Sequence, residues 1–371
     1  MKRIYLAAVG VAAATLAAIS PAFAEEDRFS LHGYGNQDYW KSNSNSFDGS
    51  GGHGSLDNNF LGLVMSATVN DKSKVWAQLQ ASSTKSTQFT WFFVDYQITE
   101  QLRAHAGRVR FPYGIYNDII DTKALQLSAA LPLAYALEAD MVYNAYNGIG
   151  LDYDADLGRS GRLLLQGFAG NVFETGTGGN PDFPDQVQLS NLKADANNRR
   201  LYGGKITWET PVEGLRAMVS GNQTTVESTA ANGQVPNQRG MENRLIFSLD
   251  YTSAQLDLKS EYNLHRFPGL DGLQDLKAHA WYVQAGYLFG AWTPYARYDS
   301  IVTNQAASGD PSYYERDFVV GLNRKLRTNL NVRAEEHFNH GYALPVAAGE
   351  TQTGKGKPSW QLFVVSINFL F

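Results

Sequence analysis

The sequence predicts an all-β protein: a transmembrane antiparallel β-barrel of about sixteen strands, closed on itself. Three observations carry that reading. From Phe29 onward, apolar and polar residues alternate at period two in one short segment after another, the pattern of strands whose two faces meet different surroundings. The connections between segments alternate in length, a very short turn and then a long polar loop. The chain then ends on an apolar-faced segment, 360–371, with no polar tail after Phe371. An open sheet ending there would expose an aggregation-prone edge, whereas a barrel pairs its last strand with its first.

The elements follow in order. A first strand is expected over 29–40, with Gly33 and Gly35 on its path, then a loop rich in Ser, Asn, Gly and Asp over 41–57. The second, 59–69, aligns Leu61, Leu63, Met65, Ala67 and Val69 before a tight Asn-Asp-Lys-Ser turn at 70–73. The third, 75–81, sets Val75, Ala77 and Leu79 against Trp76, Gln78 and Gln80; the fourth, 89–98, aligns Phe92, Val94, Tyr96 and Ile98. The fifth is 102–109. Alternation then fails until 147, across Pro112, Gly114, Pro132 and five tyrosines.

It returns in the sixth and seventh strands, 148–155 and 162–170. The eighth, 200–209, aligns Tyr202, Gly204, Ile206 and Trp208, and the ninth is 215–222. The tenth, 244–251, aligns Leu245, Phe247, Leu249 and Tyr251. The eleventh, 255–264, is the plainest: Leu256, Leu258, Ser260, Tyr262 and Leu264 stand against Asp257, Lys259, Glu261 and Asn263. Such a strand separates oil from water. The rest are 277–288, with Trp281, Val283, Ala285 and Tyr287 aligned, then 292–301, 314–323, 330–338 and 360–371. Sixteen strands leave seven short turns at one end and eight longer loops at the other. Bacterial membrane barrels have that asymmetry; a soluble sandwich has no reason to sort its loops by end.

The start of the chain is of another kind. Lys2 and Arg3 precede an apolar run, 4–19, and Ala22-Phe23-Ala24 has the small-x-small form of an export cleavage site. Residues 1–24 read as a secretory signal peptide and 25–371 as one barrel domain. No other stretch has the roughly 18 apolar residues of a spanning helix. The mean hydropathy of −0.31 fits a barrel, where only alternate strand residues meet lipid. With no cysteine, disulfide scaffolds and thiol chemistry are excluded, and a net charge of −5 excludes a general nucleic-acid binder. Nothing in the chain calls for a cofactor or metal. His337-Phe-Asn-His340 is a lone pair at a strand end, and the histidines sit in no nucleophile motif, so an outer-membrane enzyme is a remote alternative.

A lumen walled by sixteen strands is too wide for side chains to fill and leaves an aqueous channel. Charged residues at strand centres agree with this. Arg103, His105, Arg216, Arg244, Lys259, Arg297 and Arg333 are expected on the lumen wall as solvated groups, interspersed with Asp250, Glu261 and Glu335. On the lipid face at mid-depth such a charge would cost roughly 2–4 kcal/mol. The irregular stretch 111–147 is the third long loop, and Tyr116, Asp118, Asp121, Lys123, Glu138 and Asp140 are its candidate constriction residues. Four carboxylates against one lysine would bias ion passage there.

The start of that stretch carries a resemblance. Gly107, Arg108, Pro112 and Gly114 match a G-R-x-x-x-P-x-G segment, which resembles bacterial porins of the phosphate-selective O/P-like group. The terminal-Phe strand is similar to the insertion signal of Gram-negative outer-membrane barrels. The resemblance implies an outer-membrane porin, a water-filled channel for small hydrophilic solutes and ions whose third loop folds inward. It also implies a homotrimer, contact with the bilayer and lipopolysaccharide, and recognition of Phe371 by the assembly machinery. Phosphate selectivity in that group goes with a dense ladder of basic side chains. Here the inward charges are mixed in sign, so a general or mildly selective channel is expected. Selective passage of phosphate or other anions, sugars or aromatic compounds is the alternative; Tyr113, Tyr116, Tyr135, Tyr143 and Tyr146 would stack on such solutes, although packing the loop to the wall is the simpler role.

Overall fold

The computed structural model describes residues 28–45, 53–83, 87–138, 145–172, 199–228, 238–269, 274–344 and 356–371. The expected signal peptide lies outside them. The first half of the barrel is β1 (Phe29–Ser42), β2 (Asn59–Asn70), β3 (Ser73–Ser82), β4 (Gln88–Gln97), β5 (Leu102–Arg110), β6 (Ala145–Asp156), β7 (Arg162–Val172) and β8 (Arg199–Glu209). The second half is β9 (Leu215–Ser228), β10 (Gln238–Thr252), β11 (Leu256–Phe267), β12 (Leu276–Tyr287), β13 (Trp292–Val302), β14 (Tyr314–Arg327), β15 (Leu330–Gly341) and β16 (Ser359–Leu370). Each strand pairs with its neighbours in sequence, and β1 pairs with β16, so the antiparallel sheet closes into a barrel.

All sixteen expected strands are present. They differ from expectation at the loop ends, where several run further. β9 and β10 remain paired out to Ser228 and Gln238, well beyond the alternating segments. Backbone pairing does not itself need alternating side chains, so the ladder continues after the apolar pattern has stopped. β6 also starts earlier, at Ala145, with Tyr146 opposite Val109; here the extension is buried, since Tyr146 packs on Phe111 and Phe168, and the third loop is 111–144.

Period two sets the facing throughout. Phe92, Val94 and Tyr96 on β4, Ile149, Leu151 and Tyr153 on β6, and Phe247 and Leu249 on β10 are exposed outward. Their partners in alternation (Asp95, Asp152, Ser248 and Asp250) point inward. The outward set is the lipid-facing belt that a membrane barrel requires.

The closing ladder runs from Ser42 opposite Leu362 to Tyr34 opposite Leu370 and extends to the last residue. Gly33 N–H donates to the Phe371 carbonyl at 2.7 Å, and Phe371 N–H donates back to Gly33 O at 2.9 Å. Phe371 was expected beside Phe29, but Phe29 pairs only with Ala67 of β2. Tilted strands must stagger to close a barrel, and the stagger places the chain end four residues along β1. The glycines there are required for shape: a Cβ on Gly33 would occupy the Phe371 ring, and one on Gly35 the Phe369 ring. Deleting Phe371 removes these two bonds at the end of the closing ladder and the ring over Gly33. The heat-modifiable barrel recovered from outer membranes should then fall several-fold, and far more than for Phe363→Leu on the same lipid-facing row. Equal recovery of the two variants would show that the terminal pair does not control closure.

Candidate pore constriction

The third loop cannot join the sheet, because Pro112, Gly114 and Pro132 interrupt its backbone. It enters the barrel instead. Phe111, Tyr113, Tyr116 and Ala129 are between 0% and 3% exposed. Among the described residues, three short 3₁₀ turns organise it, Asn117–Ile119, Lys123–Leu125 and Leu133–Glu138. Gly114 sits at φ +55°, where a side chain would be strained and would meet Tyr135 Oη and Glu261.

A buried backbone without a ladder needs other partners, and wall side chains supply them. Ile115 N–H donates to Glu261 Oε1 at 2.8 Å, Gly114 N–H to Ser220 Oγ at 3.0 Å and Leu133 N–H to Asp299 Oδ1 at 3.1 Å. Ala129 and Ala130 donate to the two oxygens of Glu335, the second at 3.2 Å. Basic and amide groups take the carbonyls. Arg297 binds Ala130 O at 2.8 Å, Lys205 binds Gly114 O at 2.7 Å, and Asn331 binds Ala124 O at 3.1 Å. Arg333 holds the carbonyls of Ser128 and Lys123. The loop is therefore fastened to β8, β9, β11, β13 and β15.

This corrects the expectation of solvated wall charges. Arg297 and Arg333 are 1% and 0% exposed, because the loop occupies the space that water was expected to fill. Arg244 is also buried, bonded to Glu242 at 2.8 Å. Lys259 bridges Asp257 and Asp250, and Arg216 binds Asp250 from a half-exposed position nearer water. Tyr113, Tyr116, Tyr135 and Tyr146 are buried, which is the packing role; Tyr143 lies outside the described residues. Tyr135 Oη donates to Glu261 Oε2 at 2.7 Å, and Gln284 donates to Tyr116 Oη at 2.9 Å. Burial first of all pushes both hydroxyls above the ordinary tyrosine range, so both remain protonated.

The loop's charged edge stays partly wet and is paired. Asp118, 57% exposed at its side chain, lies 3.2 Å from Lys205 Nζ. Asp121 binds Arg110 and accepts from Gln78 at 2.8 Å. Lys123 meets Asp38 at 2.6 Å. The Glu138 side chain and Asp140 lie outside the described residues. Another partly wet strip runs along β4–β7. There His105 Nε2 is 3.0 Å from Asp152 and Nδ1 is 3.7 Å from Asp95, while Gln166 donates to Asp152 at 3.3 Å. Arg103 and His105, expected on the lumen wall as solvated groups, face carboxylates here: His105 lies beside Asp95 and Asp152, and Arg103 stands opposite Asp152 in the register.

Sequence reasoning missed Arg110, Lys205 and Asp38, the three wall partners of the loop's charges. Lys205 was legible: Tyr202, Gly204, Ile206 and Trp208 face lipid, so the odd position between them faces inward. Among the described residues, no cluster of three or more His, Asp or Glu has metal-binding geometry.

A closed sixteen-stranded barrel with a lipid-facing belt and an inward, wall-bonded third loop defines a porin. A profile of the family described as "Phosphate-selective porin O and P" matches residues 60–332, well over half the chain, and the protein belongs to that family. It is a channel protein of the cell outer membrane. No curated protein matches it in sequence. Solved structures of similar fold include OmpT of Vibrio cholerae, at 12% identity and TM-score 0.59, covering 92% of this chain and 97% of that one. An anion-selective porin from Comamonas acidovorans follows at 13% and 0.59, covering 92% and 99%. The channel DcaP of Acinetobacter baumannii stands at 11% and 0.56, covering 92% and 97%.

Glu335 is a heavily used fastening, since it also accepts from Tyr295 and lies 3.1 Å from His337. Glu335→Ala should destabilise the barrel by roughly 3–5 kcal/mol, the usual cost of stranding buried partners, and should make single-channel current noisier as the loop loosens. Thermal unfolding in detergent and planar-bilayer recording check both, with Glu213→Ala in the exposed turn between β8 and β9 as the near-silent comparison.

Proposed function

We propose that the third loop is the filter of a weakly charge-selective diffusion channel for small hydrophilic solutes and ions. The observation that supports this most is the pairing of the loop's wet charges: Asp118 with Lys205, Asp121 with Arg110 and Lys123 with Asp38. Paired charges largely cancel at the distance of a passing ion. A strict phosphate filter needs free cations along the path, and Arg110, Lys123, Lys205, Arg216, Lys259 and Arg297 each have a carboxylate partner. The family's description and the printed selectivity of the Comamonas porin are the support for the alternative, an anion preference. A trimer form is recorded for the similar V. cholerae OmpT, and three such barrels side by side is the proposed assembly here. Residues 1–24 act in this reading as the export signal.

In a narrow passage with low-dielectric walls, one fixed charge acts far more strongly than on an open surface. Unbalancing a pair should therefore be visible. Asp118→Asn with Asp121→Asn leaves Lys205 and Arg110 uncompensated and should move the reversal potential under a salt gradient towards anions. Lys205→Gln should move it towards cations. If neither variant departs from the wild-type potential, the loop is not the filter.

A further inference from the structure

The third loop seals one side of the lumen and leaves the other partly wet. Glu261, Arg297 and Arg333 are buried beneath it. Lys74 and Trp76 on β3, Trp91, Phe93 and Asp95 on β4 and His105 on β5 are half-buried. Alternation fixes their facing. Val75 on β3 and Phe92 and Val94 on β4 are exposed towards lipid, so Trp76, Trp91 and Phe93 look into the lumen. Polar residues are expected at wet inward positions; three large rings there call for a use. The rings of Tyr116, Tyr135, Tyr146 and Phe168, by contrast, are sealed.

The three rings form a descending track. Gln78 donates to Asp121 of the loop at 2.8 Å and stands opposite Trp91, which puts Trp91 at the height of the loop's edge. Arg110, the other partner of Asp121, lies over the Trp91 ring at 5.5 Å. Trp76 and Phe93 stand directly opposite each other, one inward step of about 7 Å nearer the short-turn end. The Phe93 centroid is 5.8 Å from that of Trp91 and 5.6 Å from that of His105. Lys74 and Asp95 follow at the next step, again opposite each other. Among the described residues Trp76 has no ring partner; its ring is met by Lys74 Nζ at 4.1 Å. Lys74 has no carboxylate within ion-pair reach among them, while Asp95 turns to His105, 3.7 Å from Nδ1. Beyond Phe93 the row continues as Gly107, Gly148 and Gly170, which set no side chain beside the rings.

The geometry points to a solute site on this track, between the loop and the short-turn mouth, for a flat-faced ring carrying one carboxylate. Aromatic acids and sugar acids share that chemistry. The inference rests on the channel reading and names a solute class for it. The face of the solute ring would lie along Trp76 and Phe93 and cover apolar surface that water otherwise meets. Lys74, on a flexible four-carbon stem, would turn from the Trp76 ring to the carboxylate. Asp95 beside it repels a second negative group, so one carboxylate fits better than two. A neutral sugar would keep the stacking and leave the lysine unused; a small anion would do the reverse.

The test uses the purified full-length protein in planar bilayers in potassium chloride. Interruptions of the single-channel current are measured with benzoate, glucuronate, glucose and acetate as probes. Benzoate and glucuronate are expected to interrupt it, with glucose and acetate at least about tenfold weaker. The ratio of the two acids tells aromatic from sugar solutes. Trp76→Ala should raise the half-blocking concentration of the better acid about tenfold. Lys74→Gln should raise it about fivefold and leave glucose unchanged. Lys72→Gln, in the exposed turn at the same mouth, should change it less than about twofold. Block by acetate or glucose equal to that by the ring acids would overturn the proposal. So would an unchanged value in Trp76→Ala or Lys74→Gln, or an equal loss in Lys72→Gln. The wild-type probe series decides the matter even where a variant fails to insert. Current without added solute separates the two readings. A steady open conductance that no ring acid interrupts ends the solute site and leaves the channel, whereas absence of ion conductance ends the channel reading itself.

Discussion

Everything inside this barrel depends on one requirement. A stretch of irregular backbone lies in a cylinder whose own ladder is already complete, and its N–H and C=O groups must still be paired. The wall meets that requirement with carboxylates and guanidinium groups in register. Glu261, Asp299 and Glu335 accept from the loop's N–H groups, while Arg297 and Arg333 donate to its carbonyls. These charges could not be exchanged for apolar groups without orphaning the loop. Their burial is tolerated because each is both ion-paired or multiply hydrogen-bonded and placed against a backbone dipole.

The same arrangement decides what charge a solute meets. A wall rich in arginine would be strongly anion-attracting if its side chains faced water. Here Arg297 spends its charge on Asp299 at 2.6 Å and on the loop, and Arg333 on two loop carbonyls. What remains wet is the loop's edge and the β4–β7 strip, both with cations and carboxylates in contact. Mechanical and electrostatic roles are thus divided between residues of the same type by their height on the wall and their distance from the loop.

Much of this was open to inspection in the chain. Period-two alternation is a local property, enforced residue by residue by lipid on one side and water on the other. That is why all sixteen strands, the sorting of turns from loops, and the facing of Asp250, Glu261 or Arg297 could be read directly. Pro112, Gly114 and Pro132 likewise marked the stretch that cannot join the sheet. The segment around Gly107 and Arg108 pointed to its family. The last strand announced closure, since an apolar edge must find a partner.

The partners themselves were another matter. Glu335 is more than two hundred positions from Ala129, Lys123 is 85 from Asp38, and no period links them. Whether an inward arginine is solvated or sealed depends on where a loop of no regular pattern comes to rest. The stagger that sends Phe371 to Gly33 instead of Phe29 is fixed by the tilt of the whole barrel. The sequence determined which residues face in and which face out, because that choice is made strand by strand. Only the tertiary structure decided which inward charges neutralise one another and which reach water, because that choice depends on three-dimensional packing across the lumen.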